Sequence, residues 1–312
     1  MSGKILVAGS KGLVGTAVVK KLESLGLDHI GISRSDADLL DYNSTRKLIN
    51  LLQPSCVIDA AAVVGGIKYN TDFPVNFLRE NLEIQNNLMR ASHEANVEKF
   101  IFLGSSCVYP RNCLQPIKEE YLLSGKLEQT NSAYAIAKIA GIEMVKSYRK
   151  QFGRRWISLM PTNIYGPNDN FNLSQSHVIP ALIRKCVDAK NKNLSTVEVW
   201  GTGQARREFL YVEDLAKAIL FCMENYDNLE HLNIGFGSDI SVYDLVKLIS
   251  EIVDYSGEIF FNSDFPDGTP QKLLDSSRIF TMGWAPDTSL RKGLEVTIDW
   301  YLKNSRGDQD GG

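Results

Sequence analysis

No run in this 312-residue sequence is apolar for long enough to cross a bilayer. The richest stretch, residues 57–67, carries Asp59 and falls far short of the roughly 20 residues a spanning helix needs. The opening Met1-Ser-Gly-Lys-Ile-Leu-Val enters a strand-like pattern directly, without the charged, apolar and cleavage-site series of a secretory leader. Basic residues are not in excess. Thirty-four Lys and Arg against 37 Asp and Glu give a net charge of −3 and a pI near 5.9, which argues against a nucleic-acid partner. Cysteine is sparse and unpaired in pattern: Cys56, Cys107, Cys113, Cys186 and Cys222 are an odd, scattered set with no Cys-x-x-Cys spacing. That excludes a disulfide framework and a structural zinc site, and it points to reduced thiols in a cytoplasmic protein with no metal. What remains, 44% apolar and 23% charged, is the composition of an ordinary globular protein with length for about two domains.

Short apolar runs alternate with helix-period segments through the first half. Strands are predicted at 4–8, 29–33, 56–59, 99–104 and 156–160, and helices at 12–25, 44–53, 74–95 and 132–152. Such alternation implies right-handed βαβ crossovers: an α/β fold, a Rossmann-type doubly wound parallel sheet covered on both faces. After Pro161 the pattern loosens, with helices at 178–189, 213–223, 242–253 and 290–302 and short strands at 197–200, 232–236 and 258–261. The expected division is a dinucleotide domain at 1–165, with segments of about 207–236 returning to it. A smaller C-terminal α/β lobe follows at 166–305, and a polar disordered tail at 306–312.

Gly9-Ser10-Lys11-Gly12-Leu13-Val14-Gly15 sits at the first strand–helix junction. There the backbone must turn tightly and approach a pyrophosphate, which helix N-terminal N–H groups then bind. The second strand ends in Gly31-Ile-Ser-Arg34 instead of a carboxylate. Arg34 and Lys11 are expected to form a cationic clamp for a 2′-phosphate, so NADP(H) is expected over NAD(H), although Asp36 lies close in sequence.

Tyr134-Ala-Ile-Ala-Lys138 places a phenol and an ammonium on one helical face. A nearby fixed positive charge favours the phenolate, which is expected to lower the tyrosine pKa and suit it to proton transfer at a carbonyl oxygen. About thirty residues earlier, Gly104-Ser105-Ser106-Cys107-Val108-Tyr109 ends a predicted strand, where parallel sheets bind their ligands.

Ser105, Tyr134 and Lys138 together resemble the triad of the extended short-chain dehydrogenase/reductases. Val64-Gly-Gly-Ile67, Met160-Pro-Thr-Asn-Ile-Tyr-Gly-Pro167, Ser176-His-Val-Ile-Pro-Ala-Leu182 and Pro266-Asp-Gly-Thr-Pro270 narrow the resemblance to the GDP-L-fucose synthase family. The resemblance implies NADPH-dependent conversion of GDP-4-keto-6-deoxy-D-mannose, by inversion at C3 and C5 and then reduction at C4. It implies that Cys107 and His177 share the epimerase acid–base work, leaving open which is base and which acid. It also implies that Leu39, Leu103, Gly104, Ser106, Pro161, Thr162, Asn163, Ile164 and His177 line the cofactor, with Ser105, Tyr134 and Lys138 facing it as well. Lys185, Trp200, Arg207 and Asp267 would face the GDP-sugar, and the family suggests a homodimer through 74–95 and 132–152. The rivals are a nucleotide-sugar 4-epimerase or 4,6-dehydratase of the same superfamily, or a non-catalytic NADP(H) sensor. Ser106 and Cys107 stand where a dehydratase carries acidic residues, which disfavours elimination.

Overall fold

The computed structural model describes residues 3–265 and 267–304, so the expected disordered tail lies outside the described residues. In chain order, β1 (Ile5–Ala8), α1 (Leu13–Ser24), β2 (His29–Ile32), α2 (Tyr42–Leu52) and β3 (Cys56–Asp59) open the fold. A short α3 (Ile67–Asp72), α4 (Pro74–Glu94), β4 (Lys99–Leu103), α5 (Ser132–Phe152), β5 (Ile157–Pro161) and β6 (Asn163–Tyr165) follow. Then come α6 (Val178–Asn191), β7 (Thr196–Trp200), β8 (Arg206–Tyr211), α7 (Val212–Asn225), β9 (Leu232–Ile234) and β10 (Asp239–Ser241). The chain ends through α8 (Val242–Val253), β11 (Glu258–Asn262), β12 (Gln271–Lys272), α9 (Ser277–Thr281) and α10 (Leu290–Asn304).

The main sheet runs β2-β1-β3-β4-β5-β9, all parallel. Its central strands are apolar and buried on both faces, with Leu6, Val7, Ile58, Phe100, Ile101 and Leu159 shut away from solvent, as a sheet covered by helices on both sides requires. Strand order reverses between β1 and β3. The crevice beyond the carboxyl ends there, at Gly9, Asp59 and Gly104, is where such sheets take ligands.

The second half builds smaller sheets. Strand β8 pairs with β6 and β12 in parallel and with β10 antiparallel, while β7 pairs with β11. Helices α6, α8 and α10 pack there around their own apolar cluster, including Ile183, Val246 and Leu294. Strand β8 escaped the sequence reading because Arg206-Arg-Glu breaks any apolar alternation. Glu208 is nevertheless fully buried: its Oε1 accepts from the N–H of Phe236 and Gly237, each at 2.8 Å, and its Oε2 from that of Leu274 at 3.1 Å. A buried carboxylate is tolerated when hydrogen bonds satisfy it. Among the described residues no helix is long and apolar enough to cross a membrane.

Candidate active site at the sheet switch point

Gly9 leaves β1 with φ +77°, a conformation open to glycine, and a Cβ there would lie 2.7 Å from the Ala60 carbonyl. A Cβ at Gly15 would collide with the carbonyl of Gly9. Gly12 caps α1 without any side-chain hydrogen bond, and the first turn holds no acidic residue. The first-turn N–H groups therefore face the crevice as uncapped donors, next to a backbone only glycine allows. This is a cradle for a pyrophosphate. Ser10 is tied to the end of β2 through its N–H and the Ile32 carbonyl, 2.9 Å, and Leu13 and Val14 pack inward on the core.

At the end of β2, Arg34 is exposed and makes no hydrogen bond or ion pair among the described residues, while Lys11 Nζ reaches Ser35 Oγ at 3.4 Å. Asp36 is tied to its own turn. Its Oδ2 accepts from the N–H and hydroxyl of Ser33 at 2.8 and 2.9 Å, and these bonds hold its carboxyl below the usual range. Leu39 lies half-buried against the core beneath this edge.

Strand β4 ends in Leu103-Gly104, and Ser105 then caps a short 3-10 turn, its Oγ accepting from Cys107 N at 3.2 Å. Ser106 turns inward and is buried, which leaves Ser105 and Cys107 toward the crevice. Helix α5 brings Tyr134 and Lys138 to the same place. Lys138 is 3% exposed; its Nζ donates to the Leu103 carbonyl at 2.9 Å and lies 5.9 Å from the Tyr134 ring centroid. The edge of Phe77 steadies the phenol, centroids 6.3 Å apart.

The expected lowering of the Tyr134 pKa does not hold here. Burial pushes the phenol well above its ordinary value; a charge on the neighbouring Cys107 would push it further, and Ser105 pulls the other way. The ammonium of Lys138 is engaged by the Leu103 carbonyl, and burial in turn pulls Lys138 down against the opposing charge of Asp59. Asp59 itself is driven up to about 6 by burial, and its Oδ2 is buried without a partner.

The Cys107 sulfur has two polar neighbours. Asn131 Nδ2 donates to Sγ at 3.3 Å, and Lys272 Nζ stands 3.6 Å away. His177 heads α6 without capping it, open to the crevice yet walled by protein. Burial, and then the charge of Lys272, push its pKa down. Lys272 thus touches Cys107, and its charge also acts on His177. Along β5 and β6, Pro161 and Thr162 are buried while Asn163 and Ile164 are half-exposed; Thr162 Oγ1 and Asn163 Nδ2 both donate to the Glu208 carbonyl, at 3.2 and 2.8 Å.

Farther out, Arg207 Nη2 donates to the Asp267 carbonyl at 3.0 Å, and burial lowers its pKa while Cys107 acts as a nearby opposing influence. The Asp267 carboxylate is occupied by Thr202, through its N–H and hydroxyl at 2.8 Å each. Trp200 is 45% exposed and stacks on Phe265, centroids 4.4 Å apart and 11° from parallel; Lys185 Nζ lies 5.2 Å over the indole.

The model of the NAD dependent epimerase/dehydratase family matches residues 5–235. The chain belongs to that family. Within the family it is 48% identical, over 97% of its length and 93% of the relative's, to the "Probable GDP-L-fucose synthase 1" of Oryza sativa subsp. japonica. It is 42% identical, over 96% and 97% of the two lengths, to the GDP-L-fucose synthase of Escherichia coli (strain K12). Among solved structures, the GDP-mannoheptose C4 reductase of Campylobacter jejuni with NADP bound superposes with a TM-score of 0.89 at 36% identity, covering 96% of this chain and 98% of that one.

Within this family frame, three site residues were not singled out from sequence. Asn131 lies in a short 3-10 turn just before α5 and carries no motif of its own. Asp59 shows only as a charge inside an apolar run. Lys272 is 165 positions from Cys107 along the chain, and no periodicity links the two. The family's Pro-Asp-Gly-Thr-Pro segment, ending two residues before Lys272, was the one available pointer.

Proposed function

We infer that this protein converts GDP-4-keto-6-deoxy-D-mannose to GDP-L-fucose, inverting C3 and C5 and then reducing C4 with NADPH. The observation that carries the reading is the position of Cys107. A thiol with an amide and an ammonium at its sulfur shares one crevice with Ser105, Tyr134 and Lys138. Reduction at C4 alone needs only the hydroxyl, phenol and ammonium, so Cys107 and His177 answer to the epimerisation.

The uncapped α1 N-terminus and its glycine turn fit the pyrophosphate of a dinucleotide, and Arg34 with Lys11 fits a 2′-phosphate. NADPH held there supplies the hydride. The chain's own residues do the rest. Protons at C3 and C5 flank the C4 ketone, and losing either leaves an enolate whose oxygen needs donors; Ser105 and Tyr134 supply them. Cys107 and His177 remove and return protons on opposite ring faces. Tyr134 then gives its proton to the C4 oxygen, and Lys138 steadies the phenol and the cofactor ribose. Lys185 and Arg207 suit a diphosphate, and Trp200 offers a flat face to base or sugar. Asp267 serves this side chiefly by holding Arg207. The reading includes a homodimer through α4 and α5, and five free thiols fit a reducing cytoplasm.

Incubation with GDP-4-keto-6-deoxy-D-mannose is expected to consume one NADPH per GDP-L-fucose formed, followed by loss of the reduced-nicotinamide absorbance. A cofactor that cycles without net loss would make the protein a 4-epimerase, and no oxidation at all would leave it a sensor. Reduction without isotope exchange at C3 and C5 would make it a plain C4 reductase. Arg34→Ala is expected to raise the KM for NADPH roughly tenfold and leave that for NADH nearly unchanged, since one charge-assisted phosphate contact is lost. Equal effects on both cofactors would remove Arg34 from the 2′-phosphate site.

A further inference from the structure

We propose that Lys272 is a positioning residue for Cys107, its ammonium the fixed counter-charge that holds the sulfur once the thiol has released its proton. The Nζ stands 3.6 Å from Sγ, and no carboxylate lies within ion-pair distance of it among the described residues. A half-buried ammonium at this distance is the charge that would stabilise the sulfur once it has lost its proton.

The segment that carries it is anchored more firmly than a two-residue strand requires. Gln271 and Lys272 pair with Arg206 and Arg207 of β8. Gln271 Nε2 donates to Asp239 at 2.6 Å, and the Leu273 N–H donates to Gln115 Oε1 at 2.9 Å. The Leu273 carbonyl accepts from Ile117 N at 2.7 Å, and the Leu274 N–H reaches the buried Glu208 at 3.1 Å. Clamped on both sides, the backbone fixes where the lysine starts, so the ammonium meets the sulfur at little further entropy cost. Asn131 Nδ2 donates to the same sulfur at 3.3 Å, a second donor at the atom the ammonium meets. The other charged or titratable neighbours are Arg207, Tyr134 and His177, with Cys113 a second thiol on which the Lys272 charge acts. Of these, Arg207 is bound to backbone carbonyls, and burial, with Lys272 second, keeps His177 toward its neutral form.

The proposal rests on the epimerase reading, but its test does not need turnover. Iodoacetamide captures thiolate faster than thiol, and peptide mass spectrometry follows Cys107 apart from the other cysteines. At pH 7.5, Lys272→Met is expected to slow alkylation of Cys107 about tenfold and Lys272→Arg to restore most of the rate, because the charge is what acts. GDP and NADPH affinities should stay within about twofold in both variants. Should the methionine variant not fold, Lys272→Gln replaces it. Unchanged alkylation would overturn the proposal, and unchanged alkylation with a tenfold loss of GDP affinity would make Lys272 a diphosphate ligand instead. Loss of the rate without rescue by arginine would likewise overturn it, by showing a packing effect. If alkylation follows Lys272 while the enzyme makes no GDP-L-fucose, the epimerase reading fails and the lysine–thiol pairing stands.

Discussion

Cys107→Ser is expected to cut deuterium incorporation at C3 and C5 of the keto sugar by about 10²-fold or more, the scale of losing a positioned acid–base group. The measurement is proton NMR of GDP-4-keto-6-deoxy-D-mannose in D₂O, without NADPH, so that no reduction masks exchange. An alcohol gives up its proton far less readily than a thiol, so serine keeps the shape and loses the chemistry. The substitution leaves the fold intact because the site is half-exposed and the neighbouring Asn131 and Lys272 can still donate to an oxygen. NADPH affinity is expected to hold within about twofold, since the glycine cradle and Arg34 lie apart from the sulfur. Exchange at the parent rate in the serine variant would take Cys107 out of the mechanism and leave His177 to work with another base.

How much of this was legible in the sequence follows the reach of each signal. Local signals served well. The helix read over 132–152 matches α5 to the residue, because its N-terminal turn and the glycine after it bound the pattern on both sides. The glycine turn and Ser105 were readable because a strand–turn–helix junction places them by chain geometry alone. Long-range groupings were not. Strand β8 hides a buried glutamate whose three backbone donors come from two distant segments, so its charge reads as surface. The Lys272–Cys107 contact depends on β12 docking against β8, a two-residue strand too short to announce itself. The sign of the Tyr134 shift was misjudged for a related reason. Spacing on a helix gives the distance to Lys138, but not the burial that outweighs it nor the carbonyl that takes up the ammonium.

Tyr134→Phe is expected to lower the rate of C4 reduction by roughly 10²- to 10⁴-fold, with GDP-sugar and NADPH still bound. Burial holds the phenol above its ordinary pKa, so in the folded chain it stays protonated across the neutral range. A protonated phenol is the form that can give its proton to the developing C4 alkoxide, so what burial costs it as a base it gains as an acid. The sign can be checked in the parent enzyme. A raised acid pKa means no loss of reduction rate from phenol ionisation as pH climbs from 6 to 9, whereas a lowered one would give a falling limb in that window. Phenylalanine keeps the ring against Phe77 and removes only the hydroxyl, so the defect belongs to the chemical step, read in single-turnover mixing of bound NADPH. Exchange at C3 and C5 should fall as well, by roughly 10- to 100-fold, because the enolate oxygen loses one of its two donors. Ser105 remains, which is why this loss is expected to be smaller than the loss of reduction. A phenylalanine variant that reduced at the parent rate would assign the C4 proton to another donor, and the half-exposed Ser105 would be the next group to replace.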